Sequence, residues 1–266
     1  FVFLEFSSLS SYILISLGTD RRALTASFRY LIFGTIGATF FLIGVGLIYQ
    51  ATGTLNLADM ANRVEPLGAS RTVQAAFAFM AVGLAVKAAL FPLHSWLPNA
   101  YAYAPSVVSA FLAATATKVS IYVLIRTYFS VFGPEFSFEV MTLGPVLMVL
   151  SIAAMLIGSM IAIFQDDIKR SFAYSSVAQI GYMVLGIGIA TVLGVTGGML
   201  HLFNHALMKG ALFLALGCLI WRTGSVSITA MQGLGKRMPW TMAAIVGGGL
   251  SLIGAGDQRR RVGAAL

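Results

Sequence analysis

The sequence predicts an all-α polytopic membrane protein with about eight transmembrane helices, one of them broken. Hydrophobic residues make up 58% of the 266 positions and charged residues only 10%, whereas soluble domains average about 25% charged residues. Several apolar runs reach about 18 residues, the length needed to cross a bilayer. A transmembrane β-barrel would show ten-residue segments of alternating polarity, and this sequence lacks them. The chain is therefore expected to be an integral membrane protein made of helices.

The apolar runs predict eight spans, at residues 1–18, 28–50, 72–91, 105–128, 139–164, 172–194, 197–221 and 239–255. Loops rich in Lys and Arg alternate with the remaining loops, as the positive-inside rule predicts if loop 19–29 faces the cytoplasm. The net charge of +8 is explained by this orientation, so the expected partner is the lipid bilayer and no nucleic acid. The expected location is a bacterial inner (cytoplasmic) membrane.

The cysteine content limits the cofactors that the chain could hold. Cys218 is the single cysteine, which excludes a disulfide framework and any iron–sulfur or zinc cluster built from cysteines. No cofactor is expected. Any redox chemistry would have to be carried out by other polypeptides.

Six acidic or basic residues lie well inside predicted spans, away from the span ends: Glu5, Lys87, Lys118, His201, His205 and Lys209. A lysine at the bilayer centre costs about 2.5–3.5 kcal/mol on insertion scales, so such residues usually face a partner or a wet cavity. Lys87 is a candidate partner for Glu5. The alternative for Lys87 is snorkelling to the membrane surface, since the third span ends soon after it.

The predicted seventh span carries a stripe of titratable side chains. His201, His205 and Lys209 are spaced four residues apart and therefore lie on one helix face. Such a stripe could pass protons through intervening water. The alternative is structural hydrogen bonding by each histidine, and a metal site is not expected because no third ligand lies near.

Two prolines predict a break after the third span. Pro92 and Pro98, with His94 between them, remove backbone donors and disfavour helix at the preceding residues. Broken helices at membrane depth commonly line ion sites. The alternative is a re-entrant loop at the surface, in which nearby aromatic residues form an interfacial belt.

Both ends of the sequence lead us to expect a fragment. Phe1 already lies in an apolar stretch and is not a methionine, and residues 255–266 have the composition of a soluble tail. We expect residues 1–254 to form a membrane domain truncated at both ends, followed by a tail that could result from a frameshift.

Three motifs in order resemble a known family: "VKAALFPLHSWLPNAYAYAPSVVSAFLAATATKVSIYVLIR", "DDIKRSFAYSSVAQIGYMVLGI" and "HLFNHALMKGALFLALG". Together with "FLEFSSLSSYILISLG", they are similar to the antiporter-like membrane subunits shared by respiratory complex I and Mrp-type sodium/proton antiporters. The resemblance covers residues 1 to about 254 and is greatest to the D-type subunits of Mrp antiporters. It implies that Glu5 and Lys87 form an input ion pair, that Lys118 is a central relay lysine, and that the stripe at 201–209 continues the path.

The leading hypothesis is thus a proton-translocating subunit of a multisubunit Na⁺/H⁺ antiporter, with other membrane subunits as partners. Its cargo would be protons, with Na⁺ as a further candidate. The alternative is a proton-pumping membrane subunit of NADH:quinone oxidoreductase. A third hypothesis is a non-conducting scaffold subunit, which the intramembrane ionisable residues disfavour.

Overall fold

The computed structural model describes residues 1–68 and 70–252, which form a helical bundle. In this part of the chain, eight long helices correspond one to one with the predicted spans: α1 (Val2–Ser16), α2 (Arg21–Thr52), α4 (Arg71–Lys87), α6 (Ser106–Ile125), α7 (Leu143–Ile163), α8 (Ile168–Gly188), α9 (Val192–Thr223) and α11 (Pro239–Leu252). Three shorter helices lie between them: α3 (Leu57–Leu67), α5 (Leu97–Tyr103) and α10 (Leu234–Arg237). The predicted fold class is therefore confirmed. The expected tail at 255–266 lies outside the described residues.

Four of the described helices are both long and apolar enough to cross a membrane by themselves: Arg21–Thr52, Ser106–Val131, Leu143–Ile163 and Val192–Thr223. The second of these continues α6 through a π-helical turn at Arg126–Val131. Helix α1 has 15 residues and α4 has 17, so both are shorter than a full span, and of these two only α1 has a comparable apolar character. Such short helices depend on their neighbours to shield polar groups.

Side-chain caps set several helix starts and move the predicted boundaries. The carboxylate of Asp167 accepts from the backbone N–H of Arg170, so α8 begins at Ile168 and not at residue 172 as expected. The hydroxyl of Thr191 accepts from the N–H of Gly194, which places the break between the sixth and seventh spans at 189–191. Asp20 caps α2 in the same way. N-cap Asp and Thr satisfy backbone donors that a helix leaves free.

Glycines set the close approach of neighbouring helices. A Cβ added at Gly83 of α4 would lie 2.5 Å from the carbonyl oxygen of Gly37 in α2, and one added at Gly181 of α8 would lie 2.8 Å from the carbonyl oxygen of Ser151 in α7. Small residues let helix backbones pack closely in lipid, where the hydrophobic effect does not drive association. Close packing thus accounts for the glycines at these helix interfaces.

Helices α6 and α9 pack antiparallel, and their contacts fix which residues lie at the same depth. A Cβ at Gly217 would contact Ser106, and one at Gly210 would contact Ala114. Residue numbers therefore increase along α6 in the direction in which they decrease along α9. Continuing this register places Lys118 at the depth of His205.

The loops gather at the two ends of the bundle according to their charge. A cavity at one end is lined by residues from the loops near 17–22, 167–169 and 220–226, which include the basic loops. A cavity at the other end is lined by residues 61–68 and 130–140 and includes Glu65 and Glu135. Helix α3, which was expected as loop, lies at this second end. The distribution agrees with the alternation of charge along the sequence.

Candidate functional site

The third span is broken where the two prolines lie. Helix α4 ends at Lys87, Ala89 adopts a positive φ of 55°, and helix resumes as α5 at Leu97. The indole Nε1 of Trp96 donates to the carbonyl oxygen of Val86 at 3.0 Å, which also accepts from the backbone N–H of Ala89 at 3.1 Å. Pro98 lies in the first turn of α5, where a missing N–H costs nothing.

His94 lies in the segment that connects α4 and α5. Its ring stacks on Phe91 with centroids 5.2 Å apart, and its Nδ1 is buried without a hydrogen-bond partner among the described residues. The residue that packs against the end of α4 is Trp96, which is also in edge contact with Tyr30 of α2 at 5.1 Å. Trp96 also lines the same cavity as Lys87.

Glu5 of α1 and Lys87 of α4 form an ion pair. The Lys87 ammonium also donates to the hydroxyl of Ser8, with Nζ and Oγ 3.0 Å apart. The side chains of Lys87 and Glu5 are 7% and 23% exposed. Two acceptors from one neighbouring helix therefore hold the lysine, and it does not snorkel to the surface.

A cavity of about 250 Å³ adjoins this ion pair. Its polar wall includes Ser8 and Lys87 on one side and Thr115 and Ser120 of α6 on the other. A buried water needs roughly 30 Å³ of liquid volume and two to four polar partners, so the cavity has room and partners for several waters. It leads from the ion pair toward the helix that carries Lys118.

Lys118 lies in the middle of α6 and is 5% exposed. Its Nζ donates to the carbonyl oxygen of Ala113 and, at 3.3 Å, to the hydroxyl of Thr117. Both acceptors belong to its own helix. No carboxylate pairs with this ammonium in the described part of the chain, so the lysine lies in an apolar bundle with only neutral partners.

The stripe on α9 faces α8 and is hydrogen-bonded to it at both ends. His201 Nε2 lies 2.6 Å from the amide oxygen of Gln179. Lys209 is fully buried and donates to the carbonyl oxygen of Phe172 at 2.8 Å and to the hydroxyl of Ser175. His205 lies between them, stacked on His201 at 5.9 Å.

His205 is the unsatisfied member of the stripe. It is fully buried, and neither ring nitrogen has a partner among the described residues. Burial of an imidazole without hydrogen-bond partners costs free energy, because the ring gives up its hydrogen bonds with water. Because the register of α6 and α9 places Lys118 at the same depth, the two titratable groups lie on facing helices at one level of the bundle.

Sequence reasoning missed Ser8, Ser175 and Gln179, which supply neutral hydrogen-bond partners of the ionisable residues. It also placed Lys169 in a loop, whereas this residue is buried in the first turn of α8 and donates to the carbonyl oxygen of Ala104 at 2.7 Å. A signal was available on α8, because residues 172, 175 and 179 are spaced for one helix face.

The end of the bundle that gathers the basic loops has a wide cavity of about 540 Å³. Arg22 lies at this cavity, stacks over the ring of Tyr103 and pairs with Asp20. The hydrogen bonds from Arg22 lower the pKa of the Asp20 carboxyl, so this carboxylate stays charged at neutral pH. The surface of the cavity is thus charged, and Lys169 lies at its inner wall.

Comparison with known proteins decides the family. The transmembrane family described as NADH:quinone oxidoreductase/Mrp antiporter matches residues 1–256. The chain belongs to this family. The predicted resemblance is confirmed. The match to a transmembrane family and the apolar helices of the bundle show that the chain is an integral membrane protein.

Relatives of two kinds share this family. The chain is 48% identical over 254 residues to NADH-quinone oxidoreductase subunit N of Desulforudis audaxviator, covering 96% of this chain and 50% of the relative. It is 36% identical over 240 residues to the D-type subunit of the Na(+)/H(+) antiporter of Alkalihalophilus pseudofirmus, covering 90% and 48%. The chain thus spans about half the length of the curated relatives it matches.

Solved structures show the same fold. The chain matches a subunit of the archaeal membrane-bound sulfane sulfur reductase with a TM-score of 0.86 at 36% identity, covering 95% of this chain and 51% of that one. It matches the Mrp complex of Dietzia sp. with a TM-score of 0.86 at 32% identity, covering 94% and 46%. Respiratory complex I of Thermus thermophilus matches with a TM-score of 0.73 at 31% identity, covering 95% and 53%.

Proposed function

We propose that this chain is a proton-translocating membrane subunit of a multisubunit monovalent cation/proton antiporter in a bacterial cytoplasmic membrane. Protons would pass between the Glu5–Lys87 pair, Lys118 and the stripe formed by His201, His205 and Lys209. The observation that carries the proposal is the burial of Lys118 and Lys209, which are 5% and 0% exposed and have only neutral hydrogen-bond partners among the described residues.

A buried lysine without a carboxylate partner suits reversible protonation. Burial disfavours the charged ammonium, while a proton arriving from a neighbour or a nearby carboxylate favours it. The balance therefore responds to changes at the adjacent site. A lysine that served only as a fixed charge would instead be expected next to an acid.

The residues are ordered in a way that supports a lateral path. The ion pair on α1 and α4 adjoins the cavity that leads to α6. Lys118 on α6 lies level with His205 on α9, and His201 and Lys209 extend the stripe along α9. The path crosses from α4 to α6 and from α6 to α9 and then follows α9, so a change of protonation at one member can affect the next electrostatically.

A second candidate function is a proton-pumping membrane subunit of NADH:quinone oxidoreductase. The 48% identity to a relative of that kind favours it, against 36% for the antiporter relative. The relay would be the same in both assemblies, and the driving reaction would differ. In either case the partners would be other membrane subunits. The scaffold hypothesis does not explain why ionisable residues on four helices lie along one path.

The experiment uses everted membrane vesicles that contain the chain in its complex. Proton movement is followed with a ΔpH-sensitive dye after addition of either Na⁺ or NADH, and the effective driver identifies the assembly. Lys118→Ala should abolish the response, while Lys236→Ala, at an exposed lysine of the short helix α10, should leave it intact. Unchanged proton movement in Lys118→Ala would refute the relay.

A further inference from the structure

Lys87 has two acceptors on α1, and the proposed proton path uses only Glu5. Ser8 lies three residues after Glu5, so both side chains project from the same face of α1 toward α4. The Ser8 hydroxyl donates to the carbonyl oxygen of Leu4 at 2.9 Å. Its oxygen is therefore turned to accept from Lys87, and it does so at 3.0 Å.

The cavity beside the ion pair lies on the side of Ser8. Ser8 and Lys87 line this cavity of about 250 Å³, whereas Glu5 is not among its lining residues. The opposite wall includes Thr115 and Ser120, whose hydroxyls donate to carbonyl oxygens of their own helix at 2.8 and 3.3 Å. Their oxygens also remain available as acceptors. A lysine that leaves Glu5 thus has Ser8 and then the cavity within its reach.

We propose that Ser8 is a positioning residue that holds the Lys87 ammonium at the rim of this cavity when the ion pair with Glu5 opens. The inference rests on the proposed function, since opening of the pair matters only if Lys87 exchanges protons. If Lys87 separated from Glu5 and had no other acceptor, its buried ammonium charge would be left without a partner. Ser8 supplies that acceptor without adding a charge, so it can hold the lysine without trapping it.

The test compares three variants in everted vesicles that contain the complete complex. Ser8→Ala removes the acceptor, and Ser8→Thr restores a hydroxyl at the same position. Ser10→Ala is the matched control, because Ser10 makes the same type of bond to a carbonyl of its own helix, with Phe6, and this bond is exposed to the surroundings. Initial rates of proton movement are measured across a range of pH at equal amounts of assembled complex.

Ser8→Ala is expected to lower the initial rate about ten- to a hundredfold, the usual effect of losing one hydrogen bond to a charged group. Ser8→Thr should restore at least half of the rate, and Ser10→Ala should match the unmodified complex. The pH dependence should change only in Ser8→Ala, because Lys87 then has Glu5 as its sole acceptor on α1.

Two results would overturn the inference. One is an unmodified rate and pH dependence in Ser8→Ala, and the other is an equal loss in Ser8→Ala, Ser8→Thr and Ser10→Ala, which would indicate packing. Lys118→Ala is measured in parallel. If Lys118→Ala abolishes proton movement while Ser8→Ala does not affect it, the proposed function stands and the role of Ser8 falls.

Discussion

The substitution Gly83→Ala tests whether close packing of α2 and α4 positions the input ion pair. A Cβ at residue 83 would lie 2.5 Å from the carbonyl oxygen of Gly37 and 2.6 Å from the backbone nitrogen of Phe41. Both are backbone atoms, which cannot rotate away. Because real Cβ contacts are at least 3.0 Å, the two helices must move apart by about half an ångström or more.

Overpacking of this kind costs about 1–3 kcal/mol, which lowers the ratio of folded to unfolded protein by about 5- to 150-fold. Gly83 lies one turn before Lys87, so the displacement also moves the lysine relative to Glu5. We therefore expect lower stability and slower proton movement together. The control is Gly46→Ala, since a Cβ at that exposed glycine of α2 would contact nothing within 4 Å.

Stability is measured as the fraction of complex that stays assembled in detergent after heating, by size-exclusion chromatography. Gly46→Ala should leave this fraction unchanged or raise it slightly, because Ala favours helix over Gly by up to about 1 kcal/mol. If Gly83→Ala matched Gly46→Ala in both stability and rate, the close packing of α2 and α4 would not position the ion pair.

Three further predictions concern single side chains. Glu5→Gln should slow proton movement at least tenfold while assembly is retained, because the amide cannot exchange a proton with Lys87; an unmodified rate in vesicles would contradict this. Lys209→Met should likewise stop proton movement, since it removes the titratable group bonded to Ser175, and full activity would exclude Lys209 from the path. Trp96→Phe should destabilise the complex by about 0.5–1.5 kcal/mol in the same heating assay, because the indole bond to the carbonyl of Val86 is lost while the N–H of Ala89 still donates to it.

The helices could be predicted from sequence because lipid imposes one simple requirement on every span. Apolar runs of sufficient length predicted the eight long helices of the described chain, and the prolines at 92 and 98 predicted the break. The boundaries were less accurate, since they depend on single capping residues. At two of these boundaries the caps are Asp167 and Thr191.

Lys169 illustrates the limit of the charge pattern. In "DDIKR" it reads as one of several charges in a loop, yet the cap at Asp167 starts the helix early and turns Lys169 inward to Ala104. Helix α3 was missed for a related reason. Its sequence "LADMANRVEPL" contains four charged or amide side chains and a proline, so no apolar run marks it, although Asn56 caps it and Asp59 pairs with Arg63 one turn later.

The candidate site could be predicted in its ionisable members and not in their neutral partners. Charged residues in apolar runs are conspicuous because they are costly. Serine and glutamine are common in helices and carry no such signal. The contacts of Ser8 with Lys87 and of Gln179 with His201 join residues 79 and 22 positions apart in sequence, so only the three-dimensional arrangement reveals them.

The most direct test of the relay is the substitution Lys118→Arg in everted vesicles, with ΔpH as the readout. Arginine preserves the positive charge but does not release its proton at physiological pH. A relay lysine cannot be replaced by such a group, so we predict that Lys118→Arg loses proton movement as completely as Lys118→Ala while the complex still assembles. Proton movement at the unmodified rate in Lys118→Arg would contradict the relay and indicate that Lys118 serves as a fixed charge.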